Sequence, residues 1–239
     1  MARVRPRFRS NLLPKKAASS AKLSDMFYLI GVNHDAQRHP PGAMLSPDQA
    51  KLEGCLIKAI EQYHPALIAV EENEETLVDR RNGVFIVYES IPRNVARERG
   101  IEHLFCEPCS NEKKRIGYMS KSQICLELCA SGLLSNCPPG LEGVAAHAVE
   151  IAVFFPAREE HWIQKLRRYL QSEVILVLGE AHIESFCCRL KAHNVPSKVL
   201  LRGIGVSNAQ NAESEAARRF PNENPQMFSA MIQQVKGTP

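Results

Sequence analysis

Apolar positions along this chain follow two rhythms. Continuous β-rich runs occur at Met26-Phe27-Tyr28-Leu29-Ile30, at Ala66-Leu67-Ile68-Ala69-Val70, from Ile101 to Cys106, and at Val174-Ile175-Leu176-Val177-Leu178. Their length and unbroken hydrophobicity suit strands buried on both faces, as in a parallel sheet. A shorter run, Lys198-Val199-Leu200-Leu201, predicts a last strand. Between them the period lengthens to that of a helix. Leu52, Cys55, Leu56, Ala59, Ile60 and Tyr63 trace one stripe, and Ile183, Phe186, Cys187 and Leu190 another. Ser46-Pro47-Asp48-Gln49 opens the first of these helices with a Ser cap, Pro in the first turn and Gln three residues on; Pro65 ends it. Strands alternating with helices predict an α/β fold, a mostly parallel sheet flanked by helices. Right-handed crossovers then bring every strand's carboxyl end to one edge.

Elsewhere the rhythm is weaker. Residues 80–91 read either as a strand or as part of a helical hairpin, and Pro92 to Arg99 as a short helix closed by Gly100. Residues 109–143 form a small insertion over the site, with a helix from Ser120 to Leu134. Val144 to Phe155 is an apolar helix interrupted at Pro156, and Arg158 to Trp162 opens another with Trp162, Leu166, Tyr169 and Leu170 inward. Beyond Ile204 the chain turns Asn-, Gln-, Glu- and Ala-rich, which predicts disorder over 205–239. The folded domain therefore spans residues 25–204.

Charge sharpens the picture at the start of the chain. Residues 1–24 hold Arg3, Arg5, Arg7, Arg9, Lys15, Lys16 and Lys22 and no acid. Without those seven, the 30 Lys and Arg of the chain fall below its 26 Asp and Glu, so the net +4 belongs to this basic, disordered tail. It reads as a solvated start, as an arm for nucleic acid or an anionic surface, or as an Arg- and Ser-containing targeting peptide. No apolar run is long enough to span a membrane, and no secretory h-region is present. A cytoplasmic protein is expected, with its eight cysteines reduced. Cys55 and Cys187 belong to apolar helix faces. Cys106-x-x-Cys109 with Cys125-x-x-x-Cys129 reads either as free thiols or as a structural zinc or cluster site. Oligomeric state is not legible.

The chemistry gathers at the strand ends. The first strand runs into Gly31-Val32-Asn33-His34, the fourth into Gly179-Glu180-Ala181-His182. The second delivers Glu71 and Glu72, ahead of Glu74 and Glu75; the third delivers Glu107. In open α/β sheets ligands bind at this edge. Two imidazoles with one or two carboxylates suit Zn²⁺, Mn²⁺, Co²⁺ or Fe²⁺, so His34, His182, Glu71 and Glu107 are candidate metal ligands. Such a metal can supply hydroxide from bound water. A spare carboxylate, Glu72 among them, can act as general base, and Arg158 can neutralise an oxyanion or an acidic substrate group. The plainer alternatives are structural histidines, a solvated acidic helix start and an Arg158–Glu159 pair.

The order of these features resembles the TraB/TIKI superfamily, which also groups erythromycin-esterase-like and ChaN-like proteins. The resemblance rests on G-x-x-H after strand one, Val70-Glu71 after strand two, an acid after strand three, Arg158-x-x-x-Trp162 opening a helix, and a final G-x-x-H. It covers about residues 25–204. It implies that His34, His182, Glu71 and Glu107 form the metal and catalytic centre of a divalent-metal-dependent hydrolase, acting on a peptide, ester or related bond. The alternative it leaves open is a non-catalytic module binding a small molecule, haem or a peptide in the same cleft. The chain departs from the family pattern in two places. Glu74 and Glu75 stand near where the family carries Arg, the nearest arginines being Arg80 and Arg81, and strand three ends in Glu107-Pro108 instead of Asp-Arg.

Overall fold

The computed structural model describes residues 25–81 and 84–237; the basic tail, with its proposed contacts to nucleic acid or an anionic surface, lies outside the described residues. In chain order the elements begin with β1 (Phe27–Val32), β2 (Arg38–His39), α1 (Pro47–Tyr63), β3 (Leu67–Val70), β4 (Val78–Arg81), β5 (Val84–Val87), β6 (Glu89–Ser90) and α2 (Ile91–Glu98). They continue with β7 (Glu102–Phe105), α3 (Ser110–Arg115), α4 (Lys121–Ala130), α5 (Glu142–Val149) and α6 (Phe155–Lys165). The last are β8 (Val174–Gly179), α7 (Ile183–Ala192), β9 (Ser197–Ile204), α8 (Asn208–Glu223) and α9 (Pro225–Gly237). Five strands form an all-parallel sheet in the order β7-β3-β8-β1-β9. The α/β class read from hydrophobic patterning is therefore the fold observed.

Alternation along the strands divides the interior in two. Phe27, Leu29, Leu67, Ala69, Leu176 and Leu178 face one side, where Trp162 of α6 and Phe186 and Leu190 of α7 cover them. Tyr28, Ile30, Ile68, Val70, Ile175 and Val177 face the other, beneath Leu52 and Leu56 of α1 and Val95 of α2. Each fully buried large side chain contributes roughly 1.5–3 kcal/mol relative to exposure. The α1 start is the capping box that its sequence predicts: Ser46 Oγ accepts from Gln49 N–H while the Gln49 side chain accepts from Ser46 N–H. Within the ambiguous residues 80–91, Val84–Val87 is a strand, β5, antiparallel to β4.

A third core lies beside the sheet. Ile124 and Leu128 of α4 and Ala145 and Val149 of α5 meet Ala217 and Phe220 of α8 and Met231 and Val235 of α9. This corrects the expectation of a disordered segment after Ile204. Ser207 and Gln210 form a capping box at the start of α8, and the helix is rich in alanine, the strongest helix former. Its small apolar face, carried by Ala217 and Phe220, is diluted among polar residues and hides in the composition. Within residues 109–143, read as a small insertion over the site, α4 packs into a helical module completed by α5, α8 and α9.

Nor does Pro156 break the helix before it. One continuous helix runs from α5 through a wide π-turn (Glu150–Phe154) into α6. Pro156 falls in the first turn of α6, directly after the π-turn. Among the described residues no helix is long and apolar enough to cross a membrane.

Candidate active site

The carboxyl ends of β1 and β8, adjacent in the sheet, line a cleft of about 370 Å³, and Glu71 lies buried behind it at the end of β3. Glu71 is its anchor. Its backbone N–H prolongs the sheet ladder by donating to Val177 O at 2.8 Å, which points the side chain across the end of β8. There Glu71 Oε2 accepts from Gly179 N–H at 2.6 Å. The missing side chain of residue 179 eases this approach. A Cβ on residue 179 would stand 3.2 Å from both Glu71 Oε2 and His34 Nε2. Gly31 on β1 makes room more strictly for Glu180, since a Cβ there would stand 2.2 Å from Glu180 Oε2; that carboxylate bridges Arg202 and the Gly203 N–H. Both glycines of the repeated G-x-x-H pattern thus admit a neighbouring carboxylate; Glu180 ties the end of β8 to β9, while Glu71 meets the histidines.

His34 and His182, far apart in the chain, converge on one oxygen. Glu71 Oε1 lies 3.6 Å from His34 Nε2 and 3.7 Å from His182 Nε2. Their surroundings differ sharply. The His34 side chain keeps 51% of its surface in the cleft mouth. Its Nδ1 faces the Gln37 amide nitrogen at 3.2 Å, while the buried Gln37 Oε1 has no partner. Turning that amide end for end lets Oε1 accept from His34 Nδ1–H and leaves Nε2 as the basic nitrogen. His182 is buried: it stacks on Phe155 at 3.6 Å between ring centres and meets the edge of Trp162 at 4.8 Å. Its Nδ1 pairs with Glu159 Oε1 at 2.9 Å. Burial, then the charge of Arg158 and the nearby His34 and His147, hold His182 well below the usual histidine range, so its ring is neutral. Burial also pushes Glu159 up to about 7, against the opposing hydrogen bond from Ser185 and the charge of Arg189.

Arg158 occupies the space among these groups. Its Nη2 binds Glu71 Oε1, its Nη1 lies 3.0 Å from His182 Nε2, and its Nε donates to Glu107 Oε2 at 2.7 Å. Lys113 holds the other Glu107 oxygen at 2.7 Å. Burial alone would raise the Glu107 carboxyl, but Arg158 and Lys113 outweigh it and hold it below the usual range. Arg158 in turn rises above its ordinary value, since Glu71 and Glu107 overcome its burial. Three of its five N–H donors are used in these bonds, and two remain for the cleft it lines.

Of the six residues read from the sequence, His34, Glu71, Arg158 and His182 meet directly. Glu107 joins them only through Arg158, standing behind the guanidinium. Glu72 turns away: it accepts from Ser90 Oγ at 2.6 Å on the far side of its strand end. The set does not fit a divalent cation as arranged. Arg158 already satisfies both the Glu71 oxygen and the His182 nitrogen that would face one, and among the described residues no group of three or more His, Cys, Asp or Glu could hold a metal ion. The cysteine pairs are likewise not gathered. Cys106 is buried in the sheet core, its thiol pushed up to about 12 by burial, whereas Cys125 packs in the helical module.

Several residues of the site escape a strand-end reading. Glu159, which orients His182, and His147, Glu150 and Tyr118, which border the cleft and Arg158, come from helices and a loop. The readable signal was Arg158-Glu159 beside His147-x-x-Glu150, a face recognisable only once the π-turn is known. Lys121 of α4 and Glu213 of α8 form an ion pair on the cleft's outer wall, joined by Gln210 and Ser214. Comparison with protein-family models, with curated proteins and with solved structures finds no match to this chain.

Proposed function

We propose that this cleft is a hydrolytic centre of the TraB/TIKI type, acting on a peptide, ester or related bond with water as nucleophile. One observation carries the reading: two imidazole Nε2 atoms from distant strand ends flank a single buried carboxylate oxygen, beside an anchored guanidinium, in a cleft open to solvent. His34, the solvent-facing ring, is the base that takes a proton from water as it attacks. Glu71 offsets the positive charge that His34 then carries. Arg158, fixed by Glu71 and Glu107, supplies preorganised positive charge for the developing oxyanion. His182, held neutral and oriented by Glu159, positions Arg158 through Nη1. In this reading the permanent cation of Arg158 fills the electrostatic role first assigned to a metal.

The test is turnover of a panel of peptides and esters by chelator-treated protein, with His34→Ala and Glu71→Gln beside the wild type. Loss of a general base costs about 10²–10⁴-fold, so kcat/KM should fall by at least 100-fold in His34→Ala with the fold intact by circular dichroism. Turnover that appears only on adding Zn²⁺, Mn²⁺, Co²⁺ or Fe²⁺ would return the cation's role to a metal. Tight binding of panel members without cleavage would make the cleft a binding module instead.

A further inference from the structure

A third imidazole borders the same cleft and has no part in the steps above. His147 ends α5, and its Nδ1 lies 3.1 Å from Glu150 Oε2; the other Glu150 oxygen accepts from Tyr118 Oη at 2.9 Å. With Nδ1–H given to Glu150, the reactive nitrogen is Nε2, which has no hydrogen-bond partner among the described residues; in the step inferred below the ring enters protonated on both nitrogens, its charge offset by Glu150. His147 and Glu150 both border the cavity that holds His34, Arg158 and His182. Phe155 packs against both inner imidazoles, stacked on His182 and edge-on to His147 at 6.2 Å.

The backbone is shaped to deliver this group. His147, Glu150, Phe155 and Arg158 all border the cleft from one helix, at steps of three, five and three. In a regular helix of 3.6 residues per turn, Phe155 would lie about 80° round the axis from His147. The π-turn sits at the step of five and removes that offset. Wide turns of this kind occur often at functional sites. Burial would raise the Glu150 carboxyl, but its bonds from His147 and Tyr118 prevail and keep it ionised. The charged and titratable groups facing His147 are therefore Glu150 on its own helix, Tyr118 from the loop before α4, Lys121 of α4, and Arg158 and His182 across the cleft.

We infer that His147, oriented by Glu150 and Tyr118, is the general acid that protonates the leaving group. This assignment rests on the hydrolytic reading above. Water attacks the acyl carbon and gives its proton to His34 Nε2. The bond to the leaving oxygen or nitrogen then breaks, its electron pair goes to that atom, and the atom takes the proton from His147 Nε2. One water is consumed and one acyl bond broken. His34 ends protonated and His147 neutral, and proton exchange with solvent restores both.

Leaving-group dependence tests this directly. A nitrophenolate leaves without a proton, whereas an alkoxide needs one. Kinetics are measured on the p-nitrophenyl and benzyl esters of one acid, for the wild type, His147→Gln, Glu150→Gln and His34→Ala. His147→Gln should lose at least 100-fold in kcat on the benzyl ester and at least tenfold less than that on the nitrophenyl ester. Glu150→Gln should show the same skew at smaller size, and serves if His147→Gln fails to fold. Equal losses on both esters, or none on either, would overturn the assignment. Because His34→Ala should depress both esters alike, a normal His34 result with an unskewed His147→Gln sinks the general acid alone. Absence of wild-type turnover on both esters removes the hydrolytic reading and the assignment together.

Discussion

Arg158 is the residue on which the local electrostatics turn. It neutralises two carboxylates that are otherwise removed from water, Glu71 with no exposed side-chain surface and Glu107 with 4%. Breaking a buried ion pair from one side leaves an uncompensated charge and costs about 3–5 kcal/mol. Arg158→Met should therefore lower the free energy of unfolding by about that amount in a denaturant titration, and Arg158→Met combined with Glu71→Gln should recover part of it. A loss below about 1 kcal/mol in the single variant would mean that the carboxylates find other partners. His34, Glu71 and His182 were legible in the sequence because each follows an apolar strand, where a parallel sheet leaves little choice of edge. The identity of the cation was not legible. A guanidinium from a distant helix and a divalent metal satisfy the same strand-end donors, and nothing in the spacing of Arg158 from the strands tells that it reaches Glu71.

Among the elements, the helix from Glu142 to Lys165 departs furthest from its sequence pattern. Pro156 suggested a break, since a proline within a helix usually removes a hydrogen bond. The wide turn ahead of it absorbs the defect, and the same extra residue brings Phe155 into line with His147. Inserting one alanine after the exposed Ala152 adds a residue that the wide turn cannot absorb and should swing everything after it by about 100°. Thermal melting should then show a large loss of stability, since Arg158 leaves Glu71, whereas deleting Ala152 should convert the π-turn to a regular turn, shift the phase by only about 20° and cost less. An insertion that melts no lower than the deletion would refute this role for the turn. Hydrophobic period found the two halves of this helix but not their join, because a one-residue phase slip looks like a boundary.

For the molecule as a whole, buried carboxylates and buried histidines pull the response to pH in opposite directions. Burial pushes both Glu72 and Glu159 up to about 7 from an ordinary value of 4.5. The native state therefore keeps their protons over a range in which the unfolded chain has lost them. Their protonated forms favour the fold fully below about pH 4.5, and that advantage fades as pH rises towards 7. Each group changes stability by at most about 1.4 kcal/mol per pH unit in this window. Burial holds His103 and His182 below the ordinary histidine range, so both favour the fold increasingly as pH rises and oppose the carboxylates in the wild type and in Glu72→Gln alike. In urea titrations the stability of the wild type relative to Glu72→Gln, whose amide still faces Ser90, should fall from pH 5 to pH 7. A difference between the two proteins that does not change with pH would contradict the assignment. At this scale the sheet was readable because its strands are long, apolar and separated by helices. The helical module was not, because Ala217, Phe220, Met231 and Val235 gain meaning only against α4 and α5, some 70 to 110 positions earlier.

The strand order carries one more consequence, for how the chain is born. β1 and β3 do not pair; β8 lies between them in the sheet and pairs with both. During synthesis two apolar strands therefore emerge early and wait, unpaired with each other, for a segment translated more than a hundred residues later. Non-local parallel pairing of this kind is slow and leaves surface open to aggregation meanwhile. Nascent chains halted before Val174 should need chaperone protection, and release of that protection should coincide with the arrival of the strand that also completes the cleft.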